Sequence, residues 1–235
     1  MKLFARGQQL YVSKAIPGTN IYSWTDMAER RKSWVRPQTT ATVYFIRHGE
    51  TELNNQGLVS GTLDTRLTEK GRMQAANIPL TLLEPPDLLV ASHLTRTWET
   101  ANIFAAKRDI RLPIMRDARI SEVDLGVLQG GPRVDVPEFA AGNVDYAPDG
   151  GETYRQAARR VASFLTDLEM LADSRAHQTI CVFTHAGIMR IVETFFNDAL
   201  AVSDIFKIRP NNASFASYQL STWKISEAWV EIVSI

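Results

Sequence analysis

The stretch Val43-Tyr44-Phe45-Ile46-Arg47-His48-Gly49-Glu50 decides the fold. Four apolar, β-prone residues in unbroken succession predict a strand buried on both faces, the condition of a strand inside a parallel sheet. The charged residues follow with no linker, so they stand at the strand's carboxyl end. Two later runs have the same form. Leu88-Leu89-Val90-Ala91 ends in Ser92, with Arg96 one turn into the helix expected from about Leu94 to Ala106, and Thr179–Thr184 ends in His185, ahead of a helix over Ala186–Phe196. A helix is expected from Thr68, its N-cap, with Pro79 kinking or ending it. Tyr154, Ala158, Val161, Leu165, Leu168 and Leu171 recur at helical spacing and predict a long helix over Glu152–Ala172, its Arg159-Arg160 pair on the solvated face. Ser214–Leu220 and Ala228–Val233 are candidate final strands, and residues 131–150, with three prolines and several glycines, read as an irregular excursion or lid. Strands alternating with helices give an α/β fold, a mostly parallel central sheet sandwiched between helices.

Residues 1–40 read differently, as an N-terminal extension packed on a domain spanning 41–235. Leu10–Val12 predicts a short strand, Pro17-Gly18 a turn, and Asp26 with Glu29 the N-cap and N3 of a helix running to about Val35. Trp24 and Trp34, two of the five tryptophans, argue for packing. The triplet Arg30-Arg31-Lys32 reads as solvated, with a role for it or for Trp34 at the rim of a site as the sharper alternative.

The 235 residues are 45% hydrophobic and 22% charged, ordinary for a globular domain, and the 26 basic and 26 acidic side chains cancel. Neither nucleic acid nor an anionic membrane is expected as a partner. Met1–Ser13 lacks the apolar core of a secretion signal, no apolar run approaches membrane-spanning length, and the cytoplasm is the expected location. The single cysteine, Cys181, lies inside a buried strand and reads as a structural thiol. Oligomeric state is left open.

Open α/β sheets bind ligands at the carboxyl ends of their strands. If the three strands are parallel neighbours, Arg47, His48, Arg96 and His185 converge on one electropositive crevice in a chain with no net charge. A phosphate dianion suits it. A metal does not: the arginines would repel a cation, and no short-range ligand motif is present. No metal and no cofactor are expected. Of the other histidines, His177 reads as solvated and His93, next to Ser92, as ambiguous.

These residues resemble the histidine phosphatase superfamily, phosphoglycerate mutase-like branch 1. The resemblance rests on five ordered segments. The first is Arg47-His48-Gly49-Glu50-Thr51 with Asn54. The second runs from Gly57 to Gly61, through Asp64, to Leu67-Thr68-Glu69-Lys70-Gly71. Ala91-Ser92-His93-Leu94-Thr95-Arg96 with Thr100-Ala101 is the third, and Glu122 with Gly126 and Leu128-Gln129-Gly130 the fourth. Thr184-His185-Ala186-Gly187 is the last. The resemblance implies a three-layer αβα fold and a phosphomonoesterase in which His48 is the nucleophile and becomes transiently phosphorylated. It further implies that Arg47, Arg96 and His185 hold the equatorial oxygens and that Glu122 is the general acid and base. Asn54, Ser60, Gly61 and Ala186 are implied phosphate-binding positions. A small phosphorylated substrate is the implied partner, without identity.

The chain departs from the family pattern at His93, Arg66 and Ala186, none of which removes a catalytic group, and at Leu125, where mutases have an aromatic residue. Residues 131–150 carry a single base, Arg133, where mutases carry a basic insert that grips a bisphosphate. Hydrolysis is therefore expected over mutase chemistry, with a non-catalytic phosphate-binding module as a third reading.

Overall fold

The computed structural model describes residues 21–33, 41–79, 85–134, 136–176 and 178–230. The strand expected at Leu10–Val12, the turn at Pro17-Gly18, Trp34 and His177 lie outside these residues, as do the side chains of Arg30, Arg31 and Lys32. Helix α1 is Trp24–Ser33. It starts before Asp26, because the Asp26 amide donates to Ser23 Oγ at 3.0 Å and the Ser23 amide to Asp26 Oδ2 at 3.3 Å. Ser23 is thus the cap and Asp26 sits at N3, three residues from the position the sequence suggested.

Strand β1 (Thr42–Arg47) is followed by α2 (Glu52–Asn55), α3 (Glu69–Ala76), β2 (Leu88–Ala91), α4 (Thr95–Lys107) and β3 (Ile114–Arg116). Then come α5 (Pro137–Ala140), α6 (Tyr154–Arg175), β4 (Thr179–Thr184), α7 (Ala186–Phe196) and β5 (Phe215–Gln219). The sheet order is β3-β2-β4-β1-β5, parallel except for β5 at one edge. The candidate strand at Ala228–Val233 is not one: Glu227–Trp229 is a 3-10 turn, because Trp229 tucks inward and donates to Thr194 Oγ1 at 2.9 Å, and 231–235 lie outside the described residues.

Strand residues alternate between two cores. Val43, Phe45, Ile180 and Val182 face α6 and α7, while Ile46, Leu89, Cys181 and Phe183 face α4. Helices on both faces give three layers. Tyr22 and Met27 are buried in the first core, with the Tyr22 hydroxyl donating to Asp167 at 2.7 Å. Cys181 is buried, and burial pushes its thiol up to about 12, so it stays protonated.

Register brings the strand ends together. Arg47 pairs with Thr184 and Ala91 with Phe183, so the residues that follow, His48, His185 and Ser92, leave the sheet side by side.

Candidate active site

His48 is the first residue past β1, and its amide donates to the Thr184 carbonyl at 3.1 Å. Its ring is buried, with Nδ1 2.7 Å from the Gly49 carbonyl oxygen. A carbonyl only accepts, so Nδ1 carries the proton and Nε2 keeps its lone pair. Burial, then the charges of Arg96 and Arg47, hold the imidazole pKa well below its usual value of 6.5. Gly49 is fixed in turn: its amide donates to Thr100 Oγ1 at 3.1 Å, and a Cβ on it would lie 2.3 Å from the Gly71 carbonyl oxygen. The two glycines let α3 press against the loop that carries His48.

The His185 ring centroid is 5.2 Å from that of His48. Arg96 Nε donates to His185 Nδ1 at 3.2 Å, and His185 Nε2 lies 2.8 Å from Ser92 Oγ. A guanidinium only donates, so Nδ1 is the accepting nitrogen and Nε2 holds the proton. Burial and then Arg96 depress its pKa well below 6.5, so the ring is neutral. His185 is fully buried and does not itself line the cavity; it stands behind Arg96.

Arg96 also donates to the carbonyls of Leu63 at 2.8 Å and Gly61 at 2.7 Å, shaping the loop that bears Ser60. Arg47 Nη1 donates to the Pro210 carbonyl at 2.6 Å. Burial pushes both guanidinium groups down to about 10, and both remain cationic at neutral pH. Arg47 Nε and Ser60 Oγ are buried with no hydrogen-bond partner among the described residues. An orphaned donor costs about 1–3 kcal/mol, which a bound anion would offset.

Glu122 sits opposite. Its Oε1 accepts from the Val123 amide at 3.0 Å and from the Gly187 amide, at the start of α7, at 3.0 Å. A Cβ on Gly187 would lie 2.4 Å from that oxygen, so only glycine admits the carboxylate here. Asn54, Ser60, Gly61 and Ala186 line the same cavity, of about 680 Å³, with Arg47, His48, Arg96 and Glu122. Asn54 Oδ1 accepts from Asn212 at 3.1 Å. Gln129, in the Leu128-Gln129-Gly130 segment, takes the Thr62 amide at 2.5 Å and thereby fixes the loop after Gly61. Of the sequence candidates for the site, His185 alone is drawn back from its wall.

The family model of the histidine phosphatase superfamily (branch 1) matches residues 43–229, most of the chain. The chain belongs to that superfamily. Its relatives place it among the phosphoric monoester hydrolases. This histidine phosphatase is 30% identical over 157 residues to the adenosylcobalamin/alpha-ribazole phosphatase of Salmonella typhimurium, covering 64% of this chain and 76% of that one. It is 28% identical over 227 residues to a metal-independent phosphoserine phosphatase of Arabidopsis thaliana, 90% and 91% of the two chains. A mycobacterial glucosyl-3-phosphoglycerate phosphatase solved with VO3 superposes with a TM-score of 0.62 at 27% identity, covering 75% of this chain and 92% of its own. Phosphoglycerate mutases are also among the matches.

Two groups in this histidine phosphatase escaped the sequence reading. Arg160, expected on the solvated face of α6, is buried. It donates to the carbonyls of Arg119 at 2.6 Å, Ser121 at 2.7 Å and Glu122 at 3.1 Å, and pairs with Glu152 at 2.6 Å. It is therefore the brace of the segment carrying Glu122. Its spacing from Ala157 and Phe164, three and four residues away, was the available signal, since both share the buried stripe. The second group is the arginines beyond 131–150: Arg190 on α7 and Arg209 after it face the cavity. The base-poor excursion is thus no measure of the cavity's charge.

His93 is exposed, with Nδ1 2.6 Å from Ser121 Oγ. Among the described residues no group of three or more His, Cys, Asp or Glu could hold a metal ion, and no helix is long and apolar enough to cross a membrane.

Proposed function

We propose that this chain is a metal-independent phosphomonoesterase that works through phosphohistidine on His48 Nε2 and acts on a small phosphorylated substrate. The observation that carries the reading is the committed Nδ1 of His48: with that nitrogen's proton held by Gly49, a neutral imidazole directs its one free lone pair at a cavity walled by two guanidinium groups.

Arg47 and Arg96 take the phosphate oxygens, joined by Ser60 Oγ and Asn54. Each charge-assisted hydrogen bond contributes about 1.5–3 kcal/mol as charge spreads in the transition state. When a dianion takes over Arg96 Nε, His185 Nδ1 is left beside the anion, where a proton on it becomes favourable, and His185 then holds an oxygen directly. The His48 Nε2–phosphorus bond forms as the ester P–O bond breaks, and the leaving oxygen takes the proton of Glu122. Water then attacks phosphorus, Glu122 accepts its proton, the N–P bond breaks, and inorganic phosphate leaves.

The test is phosphate release from 4-nitrophenyl phosphate with EDTA present. Hydrolysis that His48→Ala abolishes supports the reading; hydrolysis lost to EDTA, or retained by His48→Ala, removes it. Arg190 and Arg209 keep the mutase as a second reading, since they are cations a bisphosphate would need. A mutase would require a bisphosphate primer and release little phosphate.

A further inference from the structure

The family model begins at residue 43, yet Tyr22, well ahead of it, is buried and tied to the segment that carries Glu122. The tie is a closed ring of hydrogen bonds on α6, where Ser163 and Asp167 stand one turn apart. Ser163 Oγ accepts from the Tyr22 amide at 3.2 Å and from Arg119 Nη1 at 3.2 Å. Asp167 accepts from the Tyr22 hydroxyl on Oδ1 and from Arg119 Nη1 on Oδ2, each at 2.7 Å. Tyr22 and Arg119 thus meet on the same two side chains. Met27, fully buried in the same core, anchors α1 against α6 beside them.

Arg119 lies in the 3-10 turn Ala118–Ile120, just ahead of Glu122. Its guanidinium also folds back on Asp117, with Nη2 2.6 Å from Oδ2, and its side chain is only 12% exposed. Charged hydrogen bonds in such a setting are stronger than in water and polarise one another. By taking Oδ1, the Tyr22 hydroxyl holds the Asp167 carboxylate in the rotamer that presents Oδ2 to Arg119. Arg160 braces the backbone carbonyls of this segment; the ring through Tyr22 restrains the Arg119 side chain, a different handle on the same turn.

We propose that Tyr22 is a positioning residue for Glu122, acting through Asp167 and Arg119, so that a segment ahead of the family domain takes part in the proton transfer to the leaving group. This rests on the phosphatase reading for its effect on rate, but not for its restraint of the segment.

The test is Tyr22→Phe, which removes the hydroxyl and keeps the buried ring. Amide hydrogen exchange should quicken severalfold across residues 118–123 without a matching rise in β4. The kcat for benzyl phosphate, whose leaving oxygen needs a proton, should fall about fivefold. With 4-nitrophenyl phosphate, similar in size but with a leaving group that needs none, the loss should stay below about twofold. Arg119→Gln should produce the same split, and adding Tyr22→Phe to it should change little further, since the hydroxyl acts through Arg119. Equal effects on the two esters (none included), additive effects of the two substitutions, or exchange that does not quicken at 118–123 overturn the proposal. Quickened exchange in the variant of a protein whose wild type hydrolyses neither ester would keep the restraint and sink the phosphatase reading instead.

Discussion

Arg160 donates to the carbonyl oxygen of Glu122 at 3.1 Å while its other donors hold Arg119, Ser121 and Glu152. One buried guanidinium thus fixes the backbone on which the proposed acid stands. Arg160→Ala should lower kcat on an alkyl phosphate by about 100-fold, the scale on which a displaced catalytic group costs rate. The loss should be smaller on 4-nitrophenyl phosphate, whose leaving group needs no protonation. Equal losses on both would mean general damage to the fold and not a misplaced Glu122.

Gly71 is in close contact with the loop that carries His48: a Cβ on it would lie 2.0 Å from the Glu50 carbonyl oxygen. Gly71→Ala should drive α3 off the loop, costing about 1–3 kcal/mol in urea unfolding and reducing activity with it. A variant of wild-type stability would show that the approach is softer than the geometry implies.

Burial depresses the pKa of both His48 and His185 below 6.5. The native state therefore refuses protons that the unfolded chain accepts. Stability from this source is intact above about pH 6.5 and falls as the pH drops below it, by up to about 1.4 kcal/mol per pH unit for each ring. Chemical unfolding followed from pH 7.5 to 5.5 should show this slope, reduced in His48→Asn. Activity should persist below pH 6.5, since Nε2 stays unprotonated there; an acid limb at or above 6.5 would contradict the shift.

The hydrogen bond from Nδ1 to Gly49 also fixes which isomer forms. Alkaline quenching during turnover should trap phosphohistidine substituted on Nε2, identifiable by its acid lability and its phosphorus NMR shift. The Nδ1 isomer would require the ring to turn over, and finding it would refute the assigned tautomer.

The sheet was legible because β1, β2 and β4 are unbroken apolar runs, and the candidate cluster was legible because His48 and His185 follow two of those runs directly and Arg96 stands in the first turn of the helix after the third. Hydrogen-bond geometry decided the rest. Nothing local to Arg160 announces three carbonyl partners from a segment some forty residues away. Asn212 and Pro210, which hold Asn54 and Arg47, lie in a stretch with no periodicity to read. Ser23 displaced Asp26 as the cap of α1 because either residue type can fill that place. His185 sits where its strand implied, but the tautomer that turns it toward Arg96 follows only from its neighbours.

The arginines around the cavity carry a consequence for the molecule at large. A chain whose charges sum to zero, yet which concentrates positive groups in one cleft, must hold the matching negative excess elsewhere on its surface. Among the described residues the cleft is therefore a local positive pole in a chain with no net charge. Anions should be drawn toward that pole before contact, a pull that fades as added salt shortens the Debye length.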